Sequence, residues 1–126
     1  MFKKILLFIH FSIITLLSVM PASDFPKVNV FPYFDKVVHL CMYAVLSFLF
    51  LWVWNEKKLK NKNIIIICIV FGWGLLMEII QEVSHMGRSF DLLDVTANVF
   101  GFIPGLFVWK LLSRIFEHKK LFSNSK

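Results

Sequence analysis

The stretch of sequence that decides the fold is "IIIICIVFGWGLLMEIIQEVSHMGRSFDLLDVTANVFGFIPG", residues 64–105. Two apolar runs flank a short segment that is rich in acidic, amide and basic side chains. A helix needs roughly 17 to 25 mostly apolar residues to cross a bilayer. The stretch therefore predicts a membrane hairpin of two helices whose polar connection lies at one membrane surface.

Two more apolar runs precede this hairpin, at residues 5–20 and 37–54. The chain has 126 residues, 15 of them phenylalanine, and its mean hydropathy of +0.72 is too high for an ordinary soluble protein. We therefore predict an all-α polytopic membrane protein, a bundle of four transmembrane helices in a single domain over residues 1–126. The predicted helices span approximately residues 5–20, 37–54, 64–85 and 92–113.

The charges are distributed unevenly between the two ends of this predicted bundle. Eleven of the 14 basic residues precede helix 1, connect helices 2 and 3, or lie at the end of helix 4 and beyond it, and these segments share one side. Basic residues concentrate on the cytoplasmic side of membrane proteins, so both termini are predicted to be cytoplasmic. This asymmetry also accounts for the net charge of +6, and we predict no nucleic-acid partner.

The first apolar run has a second interpretation as a cleaved signal peptide, because the basic start "MFKK" precedes it. A cleavage site needs two small residues, whereas only Ala22 is small and Met20 occupies the other position. Retention as a membrane helix is favoured, cleavage stays open, and the later helices keep their orientation in either case.

Polar side chains recur on three of the predicted helices at spacings of three or four, which places them on one face of each helix. They are Asp35, Lys36, His39 and Tyr43 on helix 2, Glu78 and Gln81 on helix 3, and Asp94 and Asn98 on helix 4, with Arg88 in the connection. Each series is densest at its outer end. We therefore predict that these residues converge into one outward-facing polar pocket and are its binding residues.

Glu78 lies deepest among the acidic residues. A helix that begins at residue 64 places it about 21 Å along the axis, within the outer part of the hydrocarbon core. A charge at a helix centre costs roughly 2.5 to 3.5 kcal/mol, less toward an interface, so Glu78 needs a partner. Depth favours His39 and Asn98 over Tyr43 and Arg88. The alternative to a functional site is a buried structural network of the same residues.

Several polar and small residues also have purely structural interpretations. Asp91 and Asp94 are well placed to cap the amino end of helix 4. Gly101 and Gly105 form a GxxxG pattern, which favours close helix packing. Pro104 lies inside that pattern and is expected to remove a hydrogen bond and bend the helix.

The pocket combines two kinds of binding chemistry. Helices 2 and 4 both begin at the outer face, beside Lys36 and Arg88, which suits a phosphate group. The acidic excess suits a divalent cation or an amine, and both fit if a lipid phosphate arrives with Mg²⁺ or Ca²⁺. Zinc is less favoured because the spacing of the histidine and carboxylate residues matches no zinc signature. We predict no resident cofactor, and for catalysis only Glu78 and His39 are candidates.

The segments "DKVVHLCMYAVLSFL" and "EIIQEVSHMGRSFDLLDVTANVFGFIPG", between residues 35 and 105, resemble the VanZ-like family of small bacterial membrane proteins. The family's pattern falls on Asp35, Lys36, His39, Tyr43, Glu78, Gln81, Arg88, Asp94, Asn98 and Gly101. The family is named for a member that lowers susceptibility to teicoplanin. The resemblance thus implies a protein of the bacterial cytoplasmic (inner) membrane with a link to antibiotic resistance.

Three functions follow as hypotheses. In the first, the outward pocket binds or modulates a cell-envelope lipid or lipid-linked wall precursor, or the acyl-bearing part of a lipoglycopeptide antibiotic. In the second, the protein is an intramembrane enzyme that acts on a lipid head group or wall lipid with Glu78 and His39. In the third, it is a structural partner in a larger membrane complex.

Overall fold

The computed structural model describes residues 1–24, 31–55, 60–84 and 87–123, and the side chains of residues 22 and 117–123 are not described. The helices are α1 Phe2–Val19, a 3-10 helix Ala22–Asp24, α2 Phe34–Val53, α3 Lys62–Ser84, α4 Leu92–Phe100 and α5 Phe102–Ser123. No strand occurs within the described ranges, and the predicted all-α class is confirmed.

Four segments are long and apolar enough to cross a membrane: Phe2–Val19, Phe34–Val53, Lys62–Ser84 and Leu92–Phe116. The predicted number of transmembrane helices is confirmed, and the chain is a multi-pass membrane protein. The first helix begins before the predicted residue 5 and includes Lys3 and Lys4. Long lysine side chains can reach from a helix end toward water, so two lysines do not stop the helix.

The fourth span is interrupted at Gly101, where α4 ends and α5 begins. Pro104 has no N–H, and its ring crowds the carbonyl of Phe100 four residues earlier. The hydrogen bonds on either side continue, since the Gly101 N–H donates to Ala97 O at 3.0 Å and the Gly105 N–H donates to Gly101 O at 3.3 Å. Pro104 therefore interrupts the helix locally, as predicted, while the span as a whole continues through Gly101.

Helix α2 is the centre of the bundle and contacts each of the other four α-helices. The buried apolar side chains around it are Ile14, Tyr43, Leu46, Leu51, Ile66, Val70 and Phe102. Large apolar side chains also cover the outer surface, where Phe8 is 72% and Phe107 is 67% exposed. Helices that are apolar on all faces suit a lipid environment, because only lipid can cover the outer faces.

The GxxxG residues lie where α4 and α5 cross α2. A Cβ atom added to Gly101 would lie 2.7 Å from Leu40 O, and one added to Gly105 would collide with Ala44 O. Only glycine allows the backbones to approach this closely. The predicted packing function of this motif is confirmed.

The two ends of the bundle differ in chemistry. At one end, Lys3 of α1 lies over the ring of Trp52 of α2, 5.6 Å from its centroid. The other end brings together the last turns of α1 and α3 and the first turns of α2 and α4. Lys57 and Lys58, which contribute to the charge asymmetry, lie outside the described residues, and the orientation in the membrane stays a prediction.

Candidate functional site

Lys36, in the first turn of α2, joins this helix to α4. Its Nζ lies 2.7 Å from Asp35 Oδ2 and 2.9 Å from Asp94 Oδ1, and it also pairs with Asp91 Oδ2. The Lys36 side chain is only 17% exposed, so these pairs are partly shielded from water. One lysine therefore holds three carboxylates from two helices.

Asp91 connects three elements. Its carboxylate accepts a hydrogen bond from the Leu93 N–H at 2.8 Å and caps α4, as predicted. Lys36 and this N–H both stabilise the anion and lower the pKa of the Asp91 carboxyl. The backbone N–H of Asp91 donates to Glu78 Oε2 at 3.1 Å. The sequence indicates the cap, whereas Asp91 is not among the predicted binding residues.

Glu78 is 1% exposed and lies below the polar end of the bundle. Its favoured partners, His39 and Asn98, form no hydrogen bond with it among the described residues, although a ligand atom of His39 lies within 4.8 Å of one of Glu78. The Asp91 N–H at the start of α4 donates to Oε2 instead. The other oxygen, Oε1, is buried and has no hydrogen-bond partner within the described part of the chain.

His39 and Asn98 bond to each other, with His39 Nδ1 3.0 Å from Asn98 Oδ1. An amide oxygen only accepts, so Nδ1 donates in this contact, and a neutral imidazole then has its lone pair on Nε2. Asn98 is 1% exposed and packs against Gly74, where an added Cβ would lie 2.8 Å from Asn98 Nδ2. The absence of a side chain at Gly74 thus makes room for the partner of His39.

The end of α1 is bonded to two of the predicted binding residues, a connection that the sequence did not indicate. Gln81 Nε2 donates to Ser18 O at 2.8 Å, and Arg88 Nη1 donates to Leu17 O at 3.4 Å. The last carbonyls of a helix have no partner within the helix, and these two side chains satisfy them. The sequence shows where a helix end leaves carbonyls free, but it does not show which side chain will bond to them.

A cavity of about 250 Å³ opens at this end. It is lined by Asp35, Lys36, His39, Gln81, Gly87, Arg88, Ser89, Asp91 and Asp94. Six of these are predicted binding residues. Of the others in that set, Glu78 and Asn98 are buried outside the lining, and Tyr43 belongs to the apolar core, where its hydroxyl has no hydrogen-bond partner among the residues described.

A comparison with known protein families decides the identity. The model of the VanZ/LLP1 family matches residues 1–113, from the start of α1 to the middle of α5. The chain belongs to the VanZ/LLP1 family. The predicted resemblance is confirmed. No curated protein and no solved structure matches this chain.

In this VanZ/LLP1 protein, carboxylates outnumber basic groups around the cavity. Asp35, Asp91 and Asp94 line it together with Lys36 and Arg88, and Glu78 lies directly behind the Asp91 backbone. When all four carboxyl groups are ionised, two negative charges are left uncompensated by these basic side chains. This excess negative charge favours the binding of a cation. An anionic ligand requires a cation bound beside it to offset the repulsion.

Proposed function

We propose that this VanZ/LLP1 protein binds the head group of a cell-envelope lipid or lipid-linked wall precursor in the polar cavity. The observation that supports this most directly is the position of the cavity. It is lined by charged and amide side chains, yet it opens beside helices whose outer faces are apolar. A lipid whose chains pack against those faces brings its polar head group to this end of the bundle.

The proposed location is the bacterial cytoplasmic membrane, with the cavity facing the periplasm or exterior. The cluster of basic residues at the opposite end supports this orientation. Wall precursors and lipoglycopeptides meet the membrane at its outer surface, and we link the site on this basis to reduced susceptibility to teicoplanin. The acyl-bearing part of the antibiotic is the alternative ligand, with its acyl chain against the apolar outer faces of the helices.

The test fills the cavity without removing any of its charged groups. Ser89 is exposed and lines the cavity, whereas Ser23 is exposed and does not line it. Ser89→Trp and Ser23→Trp are therefore a matched pair. The purified variants are titrated with undecaprenyl phosphate and with phosphatidylglycerol, and bound lipid is counted by native mass spectrometry.

Ser89→Trp is expected to weaken binding of one of these lipids at least about tenfold, or about 1.4 kcal/mol. Ser23→Trp should bind like the wild type. Equal binding by all three proteins would place the lipid elsewhere on the surface and refute the proposal.

A second candidate function is catalysis on a lipid head group. Potential ligand atoms of Glu78 and His39 lie within 4.8 Å of each other, a separation that allows a reacting group to contact a proton donor and an acceptor. This function predicts a released product from a lipid substrate, lost in Glu78→Gln while the fold is kept. A wild-type protein that binds lipid without turnover eliminates it.

A further inference from the structure

Three side chains from three different helices meet at the cavity, two in its lining and one directly behind it. His39 of α2, Glu78 of α3 and Asp94 of α4 each offer one ligand atom, and these atoms all lie within 4.8 Å of one another. Ligands at about 2.0–2.3 Å from one metal ion are separated by distances in this range. We propose that His39, Glu78 and Asp94 bind one divalent transition-metal ion, with Mn²⁺ and Zn²⁺ as the best matches.

The orphaned oxygen of Glu78 is the second observation that points to a ligand. Glu78 is 1% exposed, and its Oε1 has no hydrogen-bond partner among the described residues. Leaving a buried acceptor unsatisfied is unfavourable, and more so for a charged group. A bound cation satisfies this oxygen, and none of the neighbouring side chains described in the structure does so.

The arrangement of His39 is that of a prepared metal ligand. Its Nδ1 bonds to Asn98 Oδ1, which holds the ring in one orientation, and in the neutral ring Nε2 then has the lone pair that a metal requires. Histidines that bind metals in proteins commonly donate their other ring N–H to an oxygen in this way. Gly74 leaves the space in which Asn98 sits and so helps to position the ligand.

The donor set indicates the class of ion. One imidazole with two carboxylates suits Mn²⁺ or Zn²⁺, whereas Ca²⁺ takes six to eight oxygen ligands and Mg²⁺ prefers oxygen and water. A dication also compensates the two excess negative charges of the site. The three ligands come from separate helices, which is why no zinc signature is present in the spacing along the chain.

The ion gives the cavity a means of binding phosphate. His39 and Asp94 also line the cavity, so an ion between them is accessible from it. Three protein ligands leave coordination positions for oxygens of a bound molecule. The inferred ligand is thus the phosphate of a lipid head group, and this part of the inference rests on the proposed function.

The experiment measures the metal first, without lipid. Tag-free protein in detergent is stripped with chelator and titrated with Mn²⁺, followed by electron paramagnetic resonance, and with Zn²⁺ by calorimetry. One ion per chain is expected, with a rise in melting temperature as the ion binds. Ca²⁺ and Mg²⁺ should bind at least about tenfold more weakly. A wild-type protein that binds neither Mn²⁺ nor Zn²⁺ would overturn the inference.

Variants locate the ion. His39→Ala, Glu78→Gln and Asp94→Asn should each weaken binding by about tenfold or more, and Asn98→Leu by a similar factor through His39. Glu82→Gln changes an exposed carboxylate outside the cavity and should bind like the wild type. Metal-free circular dichroism verifies folding, and the three ligand variants need not all fold. Unchanged affinity in any folded ligand variant would contradict the proposed ligand set.

The lipid titration is then repeated with metal-free and metal-loaded protein, using undecaprenyl phosphate. Binding that requires the ion supports the bridge from metal to phosphate. Equal binding without the ion overturns that bridge and leaves the proposed function intact. Metal binding without any lipid binding refutes the proposed function and leaves the metal site standing.

Discussion

Asp91 holds the polar end of the bundle together with one carboxylate and one backbone N–H. The carboxylate caps α4 and pairs with Lys36, and the N–H covers the buried Glu78. A sequence can indicate the cap, since an acidic residue precedes an apolar helix. It cannot indicate the other two contacts, because they depend on how α2 and α3 approach the start of α4.

The Asp91 carboxylate predicts a loss of stability at low pH. The pKa of Asp91 is lower in the folded protein than its ordinary value of 3.8. Ionised Asp91 therefore stabilises the fold above that ordinary pKa, and the stabilisation is lost as the pH falls through the lower folded value. We expect the melting temperature to fall with decreasing pH below about 4. Asp91→Asn keeps a capping side chain and should remove part of this pH dependence.

The measurement is a melting curve in detergent between pH 7 and pH 3. Asp24, which is exposed, provides the control substitution Asp24→Asn. If Asp91→Asn and the wild type lose the same stability over this interval, the ion pair with Lys36 does not form in solution.

The second prediction concerns Lys36. Lys36→Met leaves three carboxylates close together without their shared cation, and we expect a loss of about 2 to 3 kcal/mol in the free energy of unfolding. Lys110→Met is the control, because Lys110 is exposed and forms no ion pair with any residue that the structure describes. Chemical denaturation in mixed micelles measures both. Equal effects would show that the cluster contributes nothing specific.

At the scale of the elements, the apolar runs locate the membrane helices because lipid imposes a length and a composition. The GxxxG pattern and Pro104 also carried correct information, since both act through the local backbone. The connection between the end of α1 and Gln81 was not predictable, because a backbone carbonyl of one helix can accept from many side chains. Long-range polar pairs of this kind require the packed structure.

Substitutions at two glycines test the packing of α5 against α2 directly. An added Cβ at Gly105 would collide with Ala44 O, whereas one at Gly72 has nothing within 4 Å. Gly105→Ala should therefore destabilise the bundle by about 1 to 3 kcal/mol through overpacking. Gly72→Ala should be neutral or stabilising by up to about 1 kcal/mol, since alanine favours helices. Thermal unfolding compares them, and equal effects would contradict the close crossing of α2 and α5.

At the scale of the whole molecule, the bundle separates its chemistry between its two ends. The four-helix fold and the convergence of six predicted residues on one cavity were predictable from helical spacing and alternating direction. The hydrogen bond to Glu78 was not, because it comes from a backbone N–H at the start of α4 and depends on how α3 and α4 pack. Periodicity describes the faces of helices and says nothing about how a connection folds over them.

The predicted orientation of the bundle, with the cavity facing the exterior, can be tested by cysteine labelling. In a background with Cys41→Ala and Cys68→Ala, Ser89→Cys should react with a membrane-impermeant maleimide added to intact cells. Lys60→Cys, at the opposite end, should react only after the cells are opened. The reverse pattern would place the cavity in the cytoplasm and remove the link to wall precursors.

The most direct measurement of the central claim is susceptibility to teicoplanin and to vancomycin. A host lacking related proteins expresses wild type, Glu78→Gln or Glu82→Gln at matched membrane levels. We predict that the wild type and Glu82→Gln reduce susceptibility to teicoplanin and that Glu78→Gln does not, because Glu78 is buried in the polar site and Glu82 is exposed outside the cavity lining. Equal protection by all three proteins would contradict a functional role for the site.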